Sequence, residues 1–283
     1  MVALCFAVLA FVTFGLVMKV AGQRGQPPTP VAAVNYIFAA VICLAIALWS
    51  DRSGFASMPL VLLGVGAGIG FVAGFYVNFS AIDKAGLAVA QPVAGIASLV
   101  PVLVGVAFWH ESPSLAQKGA MLLACTALVL LGSSANGDSA RHQRGLAKAW
   151  PILILLFLVQ GLAMTTTRAL KQFGLAEHLW AYQALLFGSA ALGAGLVWAR
   201  TRDPLRPLGL GLGLIFGTAN IAGTALLLVA LATLSGVVVY PINSVGSMVL
   251  GAVLAMVIWH ERPGPRAIAG ILLAIPAVLL LSL

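Results

Sequence analysis

Ten stretches of the chain carry few or no charged residues and are long enough to cross a lipid bilayer. A membrane-spanning helix needs about 20 consecutive apolar residues, and these stretches do not alternate polar and apolar residues as transmembrane β-strands do. The sequence therefore predicts an all-α integral membrane protein with ten transmembrane helices. The predicted spans lie near residues 2–18, 31–49, 59–82, 85–109, 115–133, 150–167, 179–199, 208–232, 234–259 and 267–283.

The small number of charged residues identifies the bilayer as the solvent of these spans. Charged residues make up 8% of the chain and hydrophobic residues 61%, whereas a soluble domain carries about 25% charged residues. The formal net charge is +8, but the basic residues are scattered singly and form no face that could follow a nucleic-acid backbone. We therefore expect membrane lipids, and no nucleic acid, as partners.

Tryptophans and carboxylates mark the ends of the same spans. Indole rings favour the headgroup level of a bilayer, and ionised carboxylates are costly in hydrocarbon. All 7 Asp and Glu residues fall between predicted spans or at their edges. The tryptophans, each at the end of a predicted span, are Trp49, Trp109, Trp150, Trp180, Trp198 and Trp259.

The longest polar interval, residues 134–149, divides the ten spans into five and five. An odd number of spans in each half makes the second half enter the membrane in the opposite direction, so homologous halves would form an inverted-topology repeat. The predicted organisation is a first five-helix repeat at 1–133, a polar linker at 134–149 and a second five-helix repeat at 150–283.

Two motifs recur in matching spans of the two halves. The segment Pro92–Ser98 (PVAGIAS) of span four matches Pro241–Ser247 (PINSVGS) of span nine, 149 residues later. Trp-His-Glu triplets follow at 109–111 and 259–261, and each is followed two residues later by a proline. Chance similarity between apolar segments does not readily produce such triplets, so we infer an internal duplication.

The chain resembles the EamA-type members of the drug/metabolite transporter superfamily. The resemblance rests on two five-helix halves, a proline near the start of the fourth helix of each half (Pro92, Pro241), a Glu just after that helix, and a fifth helix punctuated by glycine. It implies a ten-helix fold and secondary transport, usually export, of amino acids, other metabolites or drugs. One departure is Pro101, which has Leu250 near its counterpart, so the two halves need not bend alike.

The residues and the resemblance together predict a transporter rather than an enzyme. The sequence contains no HExxH, GxSxG or GxxxxGK[ST] motif, so we expect no catalytic residue, no metal and no cofactor. The predicted mechanism is alternating access between the two halves, with a small-molecule solute as partner. Three other functions remain open, namely a lipid-carrier flippase, a structural membrane subunit and an intramembrane enzyme.

Polar residues in spans three, four, eight and nine are the candidates for a solute pathway. Proline inside a span frees the carbonyl four residues earlier, and this carbonyl must face protein or a water-filled cavity. Pro92, Pro101 and Pro241 have this effect. The alternative is that the polar side chains link helices and the prolines mark packed kinks. The candidate substrate-binding residues are Asn78, Gln91, Ser98, Asn220, Tyr240, Asn243 and Ser247.

Glycines are concentrated in spans three and eight. GxxxG pairs such as 64/68 and 213/217 are typical of helices that pack closely in lipid. The glycine faces either pack statically or let a helix rock between two states. Both interpretations place spans three and eight in the interior of the protein.

Charged groups restrict the solute. No Asp or Glu lies in the middle of a span, so the buried carboxylate that a proton-coupled cation exchanger needs is missing. Lys19 and Arg168 lie next to the first helix of each half, where they either reach the headgroups or attract the carboxylate of a solute. We favour neutral or zwitterionic solutes over permanent cations.

An even number of spans puts both termini on the same side of the plasma membrane. The loops on one side hold 11 of the 15 Lys and Arg residues and the loops on the other side hold 4. The positive-inside rule therefore puts both termini outside, whereas the resemblance implies that both lie in the cytoplasm. The orientation is open on these grounds.

Overall fold

The computed structural model describes residues 1–50, 52–85, 87–110, 112–132, 139–260 and 264–281. These residues form α-helices joined by short connections, and none of them belongs to a β-strand. The prediction of an all-α protein is confirmed for this part of the chain. The helices are α1 (Val2–Gln23), α2 (Pro28–Ser50), α3 (Met58–Ala85), α4 (Leu87–Ile96), α5 (Leu99–Phe108), α6 (Leu115–Gly132), α7 (Ser139–Gln172), α8 (Leu179–Thr201), α9 (Pro207–Thr233), α10 (Gly236–Trp259) and α11 (Pro265–Leu281).

Most of these helices are built to lie in a membrane. Over the described residues, 7 helices are long and apolar enough to cross a bilayer, and three shorter apolar stretches add to them. Large apolar side chains point outwards, such as Leu122 and Leu192, each 72% exposed. Lipid is the solvent that favours such a surface, since a soluble protein rarely exposes large apolar patches. The chain is a multi-pass membrane protein.

The predicted fourth span is broken at Ala97 and Ser98, between α4 and α5. Pro101 has no N–H to donate to the carbonyl of Ala97. The N–H of Val100 donates to that carbonyl instead, at 3.0 Å, and the N–H of Ser98 donates to Gly95 O at 3.1 Å. Both bonds belong to a tighter, 3₁₀-like turn. The expectation that the Ala97 carbonyl needs a neighbouring helix or a cavity is therefore wrong, because the chain itself supplies a donor.

The predicted ninth span, in contrast, remains one helix. α10 runs from Gly236 to Trp259 with Pro241 inside it. Position 250, the counterpart of Pro101, is a leucine whose N–H can continue the helical hydrogen bonding. The fourth spans of the two halves therefore bend differently, as the difference between Pro101 and Leu250 indicated.

The predicted polar linker is helical over its second part. α7 begins at Ser139 and continues to Gln172, so residues 139–149 extend the sixth predicted span instead of forming a loop. This stretch contains no proline and several good helix formers such as alanine, arginine and lysine. Residues 133–138 lie outside the described part of the chain.

The two Trp-His-Glu triplets end their helices in the same backbone conformation. His110 has φ +54° and His260 has φ +55°, which is the left-handed conformation that commonly ends a helix. Histidine is among the few side chains that adopt it with some frequency. The glutamates of the two triplets, Glu111 and Glu261, lie outside the described residues.

The helices form two compact units, each of which takes segments from both halves of the sequence. Unit 1 consists of Met1–Ala73 and Thr166–Thr233, and unit 2 consists of Gly74–Thr165 and Leu234–Leu283. The units therefore do not coincide with the two predicted five-helix repeats, whose boundaries stay a prediction.

In unit 1, two glycines of α3 bring this helix close to α8. A β-carbon on Gly64 would lie 2.6 Å from Leu185 Cβ, and one on Gly68 would overlap the carbonyl group of Leu186. Real β-carbons do not approach other atoms this closely, so only glycine permits the contact. The GxxxG pair 64/68 therefore faces the protein interior, as its spacing predicts.

Two glycines of α9 make the corresponding contact with α2. A β-carbon on Gly213 would lie 2.6 Å from Val34 Cβ, and one on Gly217 would lie 2.9 Å from Asn35 O. The third helix of each half thus packs on the second helix of the other half.

In unit 2, α10 packs against α4, α5, α6 and α11. Small residues make this packing close, since the core joins Ala124 and Ala127 of α6 to Ala274 and Ala277 of α11, with Val245 of α10 between them in the cluster. This core fixes α10, which carries three of the candidate site residues.

Candidate functional site

Three candidate residues bring unpaired polar atoms into the interior of unit 2. Asn78 and Asn243 are each 8% exposed, and Ser247 is half-buried. Among the described residues, no hydrogen-bond partner reaches Asn78 Oδ1, Asn243 Oδ1 or Ser247 Oγ, all of which are buried atoms. Leaving a buried polar atom unpaired costs about 1–3 kcal/mol. These atoms are therefore available to a bound group or to water.

Two of these residues share one face of α10. Asn243 and Ser247 are one helical turn apart, and residues at this spacing lie above one another. Val245, midway between them in sequence, is fully buried and packs in the core with Ala124 and Ala274. The side of α10 that bears Asn243 and Ser247 is therefore different from the side that anchors the helix.

Asn78 is the candidate residue on α3. It lies one turn after Gly74, where a β-carbon would come within 2.7 Å of Gln160 Oε1 of α7. One turn later, Ala81 packs in a core cluster with Leu153 and Leu156, also of α7. Asn78 thus belongs to a face of α3 that is turned towards α7.

Tyr240 links two helices of unit 2. Its hydroxyl group donates a hydrogen bond to Met164 O of α7 at 3.0 Å, and its side chain is 1% exposed. This bond fixes the position of α10 along the axis of α7. The residue is therefore a structural contact in this state of the protein.

Two candidates lie on the broken fourth span. Ser98 is 2% exposed and sits in the break itself, where its backbone N–H bonds to Gly95 O. The side chain of Gln91 lies outside the described residues. Its part in a site stays a prediction.

Asn220 belongs to unit 1, whereas the other candidates belong to unit 2. Its Nδ2 donates a hydrogen bond to Asn35 Oδ1 of α2 at 2.8 Å. Asn220 is 7% exposed and Asn35 is fully buried. In this structure Asn220 therefore has the role of an interhelical link, the alternative given for the polar residues.

Unit 1 contains three fully buried polar side chains that were not among the candidates. Asn35, Gln183 and Thr224 are each 0% exposed, and Asn35 Nδ2, Gln183 Nε2 and Thr224 Oγ1 have no partner among the described residues. Gln183 Oε1 accepts a hydrogen bond from Cys43 Sγ at 3.4 Å. The sequence signal that marks these residues is a polar side chain inside an apolar span, and it marks many interhelical contacts equally well.

Arg168 is a buried cation of unit 1. Its side chain is 6% exposed, so it lies inside the protein and the headgroup interpretation does not describe it. The hydroxyl group of its neighbour Thr167 lies 3.2 Å from Tyr182 Oη of α8. Lys19, the corresponding cation of the first half, is half-buried. A buried charge within a membrane-spanning helix is a functional candidate by default.

The chemistry of these groups is hydrogen bonding. Over the residues that the structure describes, no three His, Cys, Asp or Glu side chains come together in a way that could hold a metal ion. Amides, hydroxyl groups and one guanidinium group can bind and orient a solute, and they offer no paired acid and base for breaking a bond.

Comparison with known proteins finds one family model and a solved structure that are similar to the chain. Residues 1–133 match the family model described as the EamA-like transporter family, which confirms the resemblance over that part of the sequence. Among solved structures, one crystal structure covers 99% of this chain and 94% of its own chain, with a TM-score of 0.77 and 18% sequence identity. At this identity the likeness shows the fold alone. No curated protein matches the sequence.

Proposed function

We propose, on the premise that the first 133 residues are those of an EamA-like transporter, that this chain is a secondary transporter of a small metabolite, amino acid or drug-like solute in the plasma membrane. One observation carries the proposal. Unit 2 holds the buried polar atoms of Asn78, Asn243 and Ser247 without a partner among the described residues. A purely structural interior would satisfy such atoms or replace them with apolar groups.

The chemistry of these atoms favours a solute with hydrogen-bond donors. Amide and hydroxyl oxygens accept hydrogen bonds from an ammonium group or an N–H group. The same atoms carry no formal charge, so they do not favour a permanent cation as a buried carboxylate would. A neutral or zwitterionic solute, such as an amino acid, fits this set.

The duplication on which alternating access depends is supported by the register of two contacts in unit 1. A β-carbon on Gly64 would meet the carbonyl of Tyr182, and one on Gly213 would meet the carbonyl of Val31. The two glycines are 149 residues apart and the two carbonyls 151 residues apart. The second glycines of the two GxxxG pairs, Gly68 and Gly217, show the same spacing one turn later, since their β-carbons would meet the carbonyls of Leu186 and Asn35.

Such reciprocal packing is expected of two copies related by a pseudo-two-fold axis. We therefore propose ten membrane segments as a 5+5 inverted repeat, with both termini on the same side. Rocking of the duplicated elements would expose the solute site to one side of the membrane and then to the other, and export is the direction that the resemblance implies.

Solute flux into proteoliposomes that contain only this protein tests the proposal. A panel of amino acids, nucleosides, sugars and amphiphilic drugs is offered, and we expect at least one class to move faster than in protein-free vesicles. If no class moves, while a labelled lipid carrier is flipped, the protein is a flippase and the transport proposal is wrong.

Substitutions in unit 2 test the site itself. Asn78→Ala, Asn243→Ala and Ser247→Ala should each lower flux by about tenfold or more, because each removes a hydrogen bond to the solute. Membrane insertion should stay unchanged. Thr126→Val is the control, since its exposed hydroxyl group bonds to Leu122 O of its own helix. Wild-type flux in the three variants would remove these residues from the site.

A further inference from the structure

Unit 1 contains two equivalent helix contacts, α3 with α8 and α9 with α2, which can be compared residue by residue. The glycine contacts define equivalent positions in the two halves of the sequence. α9 of the second half is equivalent to α3 of the first, and α8 of the second half is equivalent to α2 of the first. At these positions Asn35 corresponds to Leu186, Asn220 to Phe71 and Thr224 to Phe75. Within unit 1, the contact of α9 with α2 therefore has Asn35 and Asn220 where the contact of α3 with α8 has Leu186 and Phe71. The contact of α3 with α8 has a polar residue of its own in Ser189, which bonds to Val65 O.

A second asymmetry adds to the first. Gln183 of α8 corresponds to Ala32 of α2, and both residues are fully buried. Because apolar residues occupy the equivalent positions, the close approach of the helices does not require a polar side chain at Asn35, Asn220 or Gln183. Their burial therefore needs an explanation other than the fold.

The polar groups of α8 and α9 lie at neighbouring levels along α2. Asn35 bonds to Asn220 of α9, and Thr224 follows Asn220 by one turn of the same helix. Two turns after Asn35, Cys43 bonds to Gln183 of α8. α9 runs parallel to α2, because Gly213 lies against Val34 and the later Gly217 lies against Asn35. Thr224, which comes later still on α9, is therefore level with the turn of α2 between Asn35 and Cys43.

The unused atoms of this set are mainly hydrogen-bond donors. Asn35 Nδ2 and Gln183 Nε2 can only donate, Thr224 Oγ1 can donate or accept, and all three are buried without a partner among the described residues. Arg168 adds a buried positive charge to the same unit, on α7 next to the residue that contacts α8. Donor groups favour an anionic oxygen, because hydrogen bonds to a charged acceptor are the stronger ones.

We propose that Asn35, Gln183 and Thr224 form a solute subsite within unit 1 that hydrogen-bonds the carboxylate group of an amino acid-like solute. The subsite rests on the proposed transport function and gives it a substrate class. It is closed in this structure, since the three side chains are 0% exposed, so solute enters when α2 separates from the glycine face of α9.

Thermal unfolding of the purified protein tests the subsite. The probes are three amino acids, each compared with the amine that lacks its carboxylate group, namely leucine with isoamylamine, phenylalanine with phenethylamine and alanine with ethylamine. We expect at least one amino acid to raise the Tm of the wild-type protein while its amine does not, because only the carboxylate reaches the donors. Equal shifts for every pair, or no shift for any probe, overturn the subsite.

Two variants separate binding from structure. Thr224→Val keeps the shape of the side chain, and Gln183→Met keeps most of its volume. Both should weaken the apparent affinity for the stabilising amino acid by about tenfold. The Tm without solute should stay equal or rise, because the unpaired atoms Thr224 Oγ1 and Gln183 Nε2 are removed and the one bond lost, from Cys43 Sγ to Gln183 Oε1, has a weak donor. A lower Tm with unchanged affinity shows a structural role and overturns the proposal.

Thr218→Val is the matched control, the same substitution on the same helix. Thr218 is exposed and its hydroxyl group bonds to Leu214 O of α9, so affinity should not change. Flux assays distinguish the two proposals. Amino acid-specific stabilisation without flux of any solute keeps the subsite and overturns transport, whereas equal flux of amino acids and amines keeps transport and overturns the subsite.

Discussion

At the scale of single residues, the backbone at the two Trp-His-Glu triplets predicts a gain in stability. His110 and His260 adopt positive φ angles, which cost a residue with a β-carbon about 1–2 kcal/mol. His110→Gly should therefore stabilise the folded protein by about 1 kcal/mol, seen as a higher Tm in detergent. His178 has φ −89°, so His178→Gly is the control and should lower the Tm. A lower Tm for His110→Gly would contradict the expectation.

The candidate residues also show where a sequence is informative and where it is not. An amide in an apolar span, such as Asn220 or Asn243, can be recognised as unusual from the sequence. Its partner cannot, because the partner depends on which helices meet. Asn220 finds Asn35 in another helix, whereas Asn243 Oδ1 finds no partner among the described residues. Equal sequence signals thus led to different environments.

At the scale of helices, the two GxxxG pairs predict sharply position-dependent effects. Gly68→Ala should destabilise the protein by about 1–3 kcal/mol, because its β-carbon would overlap the carbonyl of Leu186. Gly217→Ala should do the same against Asn35 O. Gly66→Ala and Gly211→Ala are the controls, since nothing lies within 4 Å of their β-carbon positions, and they should stay neutral or gain up to about 1 kcal/mol in helix propensity. Thermal unfolding of the four variants gives the answer, and equal losses at all four positions would exclude the packing explanation.

Helix limits followed largely from the sequence, and their exceptions have local causes. Apolar length and flanking tryptophans gave the spans, and Pro101 against Leu250 indicated that the fourth helices differ. The break at Ala97 was missed because the alternative donor, the N–H of Val100, becomes available only when the helix tightens. The helical start at Ser139 was missed because a polar stretch with good helix propensity looks like a loop when only hydropathy is considered.

At the scale of the whole molecule, the proposed inverted repeat predicts the sidedness of the two triplets. In a protein whose native cysteines are replaced, His110→Cys and His260→Cys each provide one exposed thiol at the end of corresponding helices. A membrane-impermeant maleimide should label one from outside the cell and the other only from inside. Labelling of both from the same side would contradict the inverted repeat. The side on which each cysteine is labelled also shows whether the termini lie outside the cell, as the positive-inside rule predicts, or in the cytoplasm, as the family resemblance implies.

The division into two units could not be read from the sequence. Hydropathy gives the order of helices along the chain, and the polar interval suggested one unit for each half. The structure instead forms each unit from both halves. The cause lies in specific contacts such as Gly64 with Leu185 and Gly213 with Val34, and pairing of this kind depends on shape that a single sequence does not display.

This exchange of helices has a consequence for biosynthesis. When the ribosome has delivered the first 133 residues, the glycine face of α3 and the face of α2 that receives the glycines of α9 are already in the lipid, but the helices that cover them have not yet been made. The nascent first half must therefore wait, shielded by lipid or by an insertion factor, until α8 and α9 arrive. A gene split within residues 133–138 should then yield two fragments that are each unstable alone and that reassemble when they are produced in the same cell.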